Sequence, residues 1–390
     1  MGGNAMSEWK TVKLEDICKC VTSGGTPKAN VASYYSPPTI PWLKTKEVNY
    51  SRIYNTENFI SEEGLNNSSA KLIEPNSIII AMYGQGDTAG RVAINKIPLT
   101  TNQACCNLTI DKDKADYEFI YYELCTLYDK MVSLKSGAAQ PNLNAQIIKG
   151  LEVQLPSLSI QHRIAEILSR YDSLIENYQR QIKLLEEAAQ RLYKEWFVDL
   201  HFPGHENTPI IDGIPEGWEK KTVGEIAEFK RGKTITKKDI IEGSIPVVAG
   251  GLEPAYYCNK SNTDQRVITV SGSGANAGFT RMYFEKVWAS DCSFIDCSTT
   301  EYLHFIYCYL IANKSFLDNL QKGAAQPHVY AKDINALDVL VPSHNVINSF
   351  ESVASKIFDV IASKNNQIRN LTEARDRLLP KLMSGEIDIV

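Results

Sequence analysis

The chain has 390 residues, 43% of them hydrophobic and 22% charged, with a formal net charge of −5. That length exceeds one ordinary domain and predicts two, each with enough apolar residues to bury a core. No run of about 18 apolar residues occurs, which excludes a membrane-spanning helix.

In chain order, Met1–Ala5 lack the charged-then-apolar layout of a secretory signal. β-type runs are predicted at Ser77–Met82 and Cys105–Ile110, separated by glycine-rich turns, with a helix over Tyr117–Leu134. Ile164, Leu168, Tyr171, Ile175, Tyr178, Ile182, Leu185, Ala189, Leu192 and Trp196 then recur in steps of four and three. That spacing is a heptad seam. Pro156-Ser157 precedes it and Pro203-Gly204 follows it. The second half repeats the plan with a β-type run at Arg266–Val270 and a helix over Tyr302–Leu320. Its seam is Phe350, Ala354, Ile357, Ile361, Lys364, Ile368, Leu371, Arg375, Leu378 and Leu382. The polar members Lys364 and Arg375 would fix register, and Pro380 is expected to kink or end the helix near its last turn.

The two halves are copies. Gly137-Ala138-Ala139-Gln140-Pro141 recurs unchanged as Gly323-Ala324-Ala325-Gln326-Pro327, an offset of 186. Phe119-Ile120-Tyr121 answers Phe305-Ile306-Tyr307 at the same offset, and Leu155-Pro156 answers Val341-Pro342. Upstream, Gly84-x-Gly86 with Ala89-Gly90 answers Gly272-x-Gly274 with Ala277-Gly278 at 188, Ile40-Pro41 answers Ile245-Pro246 at 205, and Trp9 answers Trp218 at 209. The first copy is therefore longer, with 17 of the extra residues between Pro41 and Gly84. A shared frame with unlike loops suits two related tasks.

The fold expected is mixed α/β (α+β). Two tandem domains with twisted mixed sheets are separated by two long helices that pair antiparallel as an intramolecular coiled coil, with pseudo-two-fold symmetry. The expected segments are 1–156, a first recognition domain; 157–199, a central helix; 200–217, a linker; 218–343, a second recognition domain; and 344–390, a C-terminal helix and tail. At about 1.5 Å per residue, a helix of some 38 residues is a rod of roughly 57 Å, against about 34 Å for one turn of DNA. Two unlike readers in inverted orientation would recognise a two-part, asymmetric site with an unread spacer set by the rod. The seam residues expected at the helix interface are Leu168, Tyr171, Ile175, Tyr178, Ile182, Leu185 and Leu192, facing Ile357, Ile361, Lys364, Ile368, Leu371 and Leu378.

The nine cysteines, Cys18, Cys20, Cys105, Cys106, Cys125, Cys258, Cys292, Cys297 and Cys308, have no framework spacing and no C-x2-C pair. Reduced thiols in a cytoplasm are expected, with no zinc site. His201 and His205 are separated by Pro203-Gly204, which breaks any helix that would align them. Asp291, Cys292, Asp296 and Cys297 read as strand positions and not as a metal site. Ser36-Pro37-Pro38-Thr39 resembles the loop of adenine methyltransferases but carries Thr39 where an aromatic ring would stack, so a proline-rich turn is expected. The glycine turns lack the Lys-Ser/Thr of a nucleotide loop. No catalytic centre is predicted.

Taken in order, certain segments resemble the specificity subunit (HsdS) of type I restriction-modification systems over essentially the whole chain. They are Ser23-Gly24-Gly25-Thr26-Pro27, Ile40-Pro41-Trp42, Leu155-Pro156-Ser157-Leu158, Gln161-His162-Arg163-Ile164, Glu195-Trp196-Phe197-Val198-Asp199, Ile214-Pro215-Glu216-Gly217-Trp218 and Leu378-Leu379-Pro380-Lys381-Leu382-Met383-Ser384-Gly385-Glu386-Ile387. The resemblance implies two target-recognition domains, each reading half of a double-stranded DNA site. It implies two modification subunits docked on the helices and restriction subunits joined through them. S-adenosylmethionine would belong to the modification subunit and ATP with Mg to the restriction subunit, with no cofactor in this chain. Arg231-Gly232-Lys233-Thr234 stands where the second domain should show Gly-Thr-Pro, a departure from the pattern.

DNA contact needs Lys and Arg for phosphates and hydrogen-bonding side chains for base edges. Lys230, Arg231, Lys233, Lys237 and Lys238 form the clearest basic cluster, with no acidic residue between Lys230 and Lys238; the net acidity predicts weak DNA binding by this chain alone. Lys28, Lys44, Lys46 and Arg52 are the counterparts in the first domain, with Lys44 and Lys46 on one side of an extended strand. The glycine turns add Gln85, Ser271, Ser273 and Asn276. Gln140 and Gln326 sit in identical surroundings and cannot choose different half-sites, so the residues after the pentapeptide, Asn142 and His328, are the better candidates. The competing expectations are an enzyme with its own active site, and a coiled-coil scaffold whose duplicated domains bind other proteins.

Overall fold

The computed structural model describes residues 9–84, 86–135, 142–321, 327–387 and 389, and for Lys237 the backbone alone. The chain divides into two compact units, Met1–Glu176 with Arg369–Val390, and Asn177–Ile368. Two forty-residue helices, α6 (Leu158–Phe197) and α11 (His344–Met383), contribute to both. Compactness thus groups the chain differently from the five expected segments, because the ends of both helices are built into the recognition cores.

Unit one contains, in order, β1 (Lys10–Lys13), α1 (Leu14–Ile17), β2 (Cys18–Ser23), β3 (Ile40–Leu43), β4 (Ser51–Ile53), β5 (Phe59–Ile60), α2 (Glu62–Asn66), β6 (Ile78–Ala81), β7 (Val92–Asn95), β8 (Thr100–Thr101), β9 (Cys105–Ile110), α3 (Tyr117–Thr126), α4 (Tyr128–Ser133), α5 (Ala145–Lys149) and β10 (Glu152–Leu155). The main sheet has the order β2-β9-β6-β7-β4, antiparallel except for β4 alongside β7. A smaller sheet, β5-β3-β8, joins β3 and β8 in parallel, and β1 pairs with β10. The run Ile78-Ile79-Ile80 explains the layering. Strand side chains alternate, so Ile78 and Ile80 enter one core with Phe119, Ile120 and Leu168. Ile79 and Ala81 enter a second core with Leu43, Val48 and Ala93. Both faces are covered, which is why the strand reads as continuously apolar.

Unit two contains β11 (Ile210–Ile211), β12 (Ile214–Pro215), β13 (Glu219–Thr222), α7 (Val223–Ile226), β14 (Lys230–Arg231), β15 (Ile245–Val248), β16 (Tyr256–Cys258), β17 (Val267–Ser271), β18 (Thr280–Tyr283), β19 (Trp288–Ala289), β20 (Cys292–Asp296), α8 (Leu303–Ala312), α9 (Lys314–Asn319), α10 (Ala331–Asn335) and β21 (Asp338–Val341). Its sheets, β14-β20-β17-β18 and β16-β15-β19, repeat those of unit one without a partner for β4. The 17 additional residues of the first copy contain that extra edge strand.

Three local expectations are corrected. The helix over Tyr117–Leu134 breaks at Leu127, where Thr126 Oγ1 donates to Glu123 O and Leu127 N turns back to Leu124 O. These bonds replace the helical ladder. Its copy breaks at Asn313, whose Nδ2 donates to Tyr309 O. Lys44 and Lys46 do not share an extended strand, because Thr45–Glu47 is a 3-10 turn whose Glu47 carboxylate accepts from Lys44 N. Helix α11 ends at Met383, three residues past Pro380, so the proline stands in its last turn as expected.

Within unit one, Ile164, Ala165 and Leu168 of α6 share a core with Leu378, Leu379, Leu382 and Met383 of α11. Within unit two, Ile182, Leu185, Ala189, Leu192, Tyr193 and Trp196 meet Phe350, Ala354, Ile357 and Ile361. Each time an early stretch of one helix meets a late stretch of the other, so the helices run antiparallel. Ile175 is buried; Tyr171, Tyr178, Ile368 and Leu371 are half-buried. The polar seam residues are partnered: Arg375 Nη1 donates to Asp172 Oδ1 at 2.6 Å in unit one, and Lys364 Nζ sits 4.8 Å from the Tyr178 ring centre in unit two.

Candidate nucleic-acid interface

In unit two, β14 ends where Gly232 N donates to Cys292 O and Lys233 N donates to Ala289 O. A Cβ on Gly232 would stand 2.3 Å from Ser290 O, so only glycine permits this approach. The Trp288 indole N–H donates to Lys233 O at 2.7 Å, pinning the backbone while the Lys233 side chain stays exposed. Unit one builds the same corner at Gly24 and Gly25, whose amides donate to Cys105 O and Thr101 O. There the indole comes from Trp42, donating to Gly25 O at 3.0 Å. Trp42 lies on β3, whereas Trp288 lies on β19, so neighbouring strands supply the same clamp in the two copies. A lysine covers each ring, Lys44 at 5.0 Å and Lys260 at 5.1 Å.

Beside this corner lie two further pieces. After β17, Gly272 N donates to Asp291 O, Gly274 N donates to Pro327 O, and Val329 N donates to Gly272 O. The glycine turn is thereby joined to the segment after the repeated pentapeptide, with Ser273 bridged to His328. In unit one Met82 N donates to Ala104 O, and Leu143 N donates to Met82 O, which brings Asn142 to the matching place. These bonds set Gly272 against Met82, two residues away from the Gly84 expected from the repeat, because the first copy's turn is longer. Gly90 and Gly278 match as expected, donating to Ala81 O and Ser271 O.

Four strand ends and loops therefore converge in each unit. In unit two they bring together Arg231, Asp291, Ser273 and His328. Arg231 Nη2 donates to Asp291 Oδ1 at 2.7 Å, and Ser273 Oγ donates to Asp291 Oδ2. The His328 ring stacks on Tyr330, centroids 6.0 Å apart, with Lys332 Nζ 5.9 Å from that ring. Asn276 Nδ2 donates to Gly250 O at 3.4 Å. Lys230 and Lys238 are exposed, and Lys237 opens the 3-10 turn Lys237–Asp239. In unit one Lys28 is exposed beyond Gly24–Pro27, Thr26 Oγ1 donates to Gln103 Oε1, and Asn142 is half-buried. Lys46 is ion-paired with Glu57. Gln85 lies outside the described residues, as do the first pentapeptide and all of the second but Pro327.

Two sequence candidates are corrected. Arg52 does not face solvent: its side chain is 5% exposed and ion-paired with Glu118 at 2.8 Å, Asp172 at 3.2 Å and Glu176 at 3.3 Å. Burial alone would pull its pKa down, but Tyr122, Glu118 and Asp172 around it push it up, so it stays charged as a fastener of β4. Ser271 is buried, its Oγ donating to Gly250 O at 3.1 Å, and it supports the turn from within. The sequence reading passed over Gln103, Asp291 and Tyr330 as contact residues. The offset of 188 sets Gln103 against Asp291 in sequence, but the backbone bonds set Ala104 there, with Gln103 one residue before it, so the repeat alone could not have aligned these positions.

Among the described residues no group of three His, Cys, Asp or Glu is placed to hold a metal, and no helix is long and apolar enough to cross a membrane. The family model described as the type I restriction modification DNA specificity domain matches residues 6–187 and 215–372. The type I restriction enzyme MjaIX specificity subunit of Methanocaldococcus jannaschii is 29% identical, over 99% of this chain and 95% of that protein. A putative type I specificity subunit of Mycoplasma genitalium, S.MgeORF438P, is 27% identical over 76% of this chain and 79% of its own length. The crystal structure of a type I restriction-modification S subunit from M. genitalium superposes with a TM-score of 0.62 at 19% identity, covering 100% and 99% of the two chains. That last likeness concerns the fold.

Proposed function

Because this chain belongs to the type I restriction modification DNA specificity family, we propose that its two units read the two unlike halves of one asymmetric DNA site. DNA specificity without catalysis is the role of the family, and that assignment sets aside both the self-contained enzyme and the protein-binding scaffold. One observation carries the half-site reading: the same corner is built in both units by the same backbone bonds, yet it presents Arg231, Asp291, Ser273 and His328 in one, and Thr26, Gln103 and Asn142 in the other. A conserved frame fixes position on the duplex while unlike side chains choose bases. Lys28, Lys230, Lys233 and Lys238 are assigned to phosphates, and Asn276 and His328 to the groove.

In this reading residues 1–156 and 218–343 are the exchangeable recognition domains, 200–217 the linker, and 157–199 with 344–390 the helical parts. Two modification subunits, which would carry S-adenosylmethionine, dock on those helices, and restriction subunits using ATP and Mg join through them in the cytoplasm. Both helices enter both units, which supports a role in setting the spacer. The decisive experiment exchanges residues 218–343 for a relative's and sequences methylated sites in a host carrying the complete system. One half of the motif is expected to change. A motif altered in both halves, or in neither, refutes the reading.

A further inference from the structure

The ion pair at the rim of unit two has an arrangement that phosphate binding does not explain. Arg231 stands at the exposed end of β14, its side chain 49% exposed, with one N–H given to Asp291. Asp291 is itself fixed on its other oxygen by Ser273 Oγ. Gly272 lies beneath: a Cβ there would come within 3.3 Å of Arg231 Nη1 and 3.2 Å of Asp291 Oδ1. The missing side chain lets the guanidinium rest against the turn. A guanidinium has five N–H donors in a rigid plane, so donors remain after Asp291 has taken one.

For a phosphate contact this pairing is counterproductive, because the Asp291 carboxylate cancels the charge that would attract the backbone and would itself be repelled. For a base contact it is useful. Two parallel N–H bonds to guanine O6 and N7 depend on the orientation of the fork, not on net charge. A carboxylate along one edge holds the fork in one orientation and reduces the entropy lost on contact. The exposed lysines nearby, Lys230 and Lys233, are the groups suited to phosphates.

We propose that Arg231 is a guanine-reading residue of the second half-site and that Asp291, braced by Ser273, is its positioning residue. This rests on unit two being a half-site reader. The equivalent edge of unit one carries Ser23 in place of Arg231 and Ala104 in place of Asp291, so this pair belongs to the second unit alone.

The test uses the complete complex with its modification subunits. The wild-type motif is first obtained by sequencing methylated sites; duplexes substituted at single base pairs are then bound at one salt concentration. Arg231→Ala is expected to lose about 10- to 100-fold discrimination at one guanine position, leaving the other half-site unchanged. Asp291→Asn and Asp291→Ala are expected to relax that same position by a smaller factor. Lys233→Ala should weaken all duplexes alike. Tighter binding of every duplex by Asp291→Ala, with the motif intact, would show Arg231 to be a phosphate contact and overturn the proposal. So would a uniform loss in Arg231→Ala. If the motif resists these substitutions but changes when residues 218–343 are exchanged, only the Arg231 assignment fails; if it resists the exchange too, the half-site reading fails with it.

Discussion

Arg52 and Arg231 have the same side chain and opposite surroundings. Arg52 lies among Glu118, Asp172 and Glu176, so Arg52→Ala would leave carboxylates buried without their counter-charge. A loss of about 3–5 kcal/mol is expected, seen as a lower urea midpoint. Lys233→Glu, on an exposed side chain, is expected to leave that midpoint unchanged while weakening every DNA duplex by a similar factor in the assembled complex; an effect at one base position would mean that Lys233 reads a base. Glu123 gives a pH-dependent case. Burial pushes its pKa up, opposed by the Gln154 amide that it accepts. The folded state therefore holds this proton more tightly than the unfolded chain, and stability is lost as pH rises through the folded pKa. Glu123→Gln is expected to raise the urea midpoint at pH 7 and to have little effect at pH 4. At this scale the sequence is least informative: Lys28 and Arg52 look alike in it, and only the fold separates an exposed cation from a buried one.

Elements were read more securely. Heptad spacing over ten positions identified both long helices, because a periodic apolar stripe has few other uses. The breaks at Leu127 and Asn313 were not legible, since Thr126 and Asn313 are ordinary polar residues until their side chains reach back to the preceding turn. The 3-10 turn at Thr45–Glu47 escaped for the same reason. The aromatic packing around Phe350, which touches Tyr193, Trp196 and Phe197 at ring-centre distances of 6.3, 5.9 and 4.9 Å, sets the strength of the helix pairing in unit two. Phe350→Ala is expected to cost about 3–5 kcal/mol. A double-mutant cycle on Asp172 and Arg375 should return a coupling well above the 0–1 kcal/mol of an exposed pair, because the carboxylate is only 8% exposed.

For the molecule as a whole, duplication carried most of the inference. The repeated pentapeptide and its shifting offsets predicted twin recognition units before any strand was placed. The insertion in the first copy proved to hold the extra strand β4. Strand order stayed out of reach because it depends on pairings distant in sequence. If the helices set the spacer, one heptad added to both adds about 10 Å of rise. The sequenced motif should then gain roughly three unread base pairs, or the complex should fail to assemble; an unchanged spacer with intact methylation contradicts the ruler role.

Chain order has a consequence for synthesis. Leu378, Leu379, Leu382 and Met383 line the core formed by the first 176 residues. The part translated first must therefore wait for residues made after unit two, while unit two draws on residues already made. Until those residues emerge from the ribosome the leading lobe stays open, with Leu168 and Ile164 uncovered on one side. Removing residues 376–390 should make the amino-terminal lobe, not unit two, the one that proteases open.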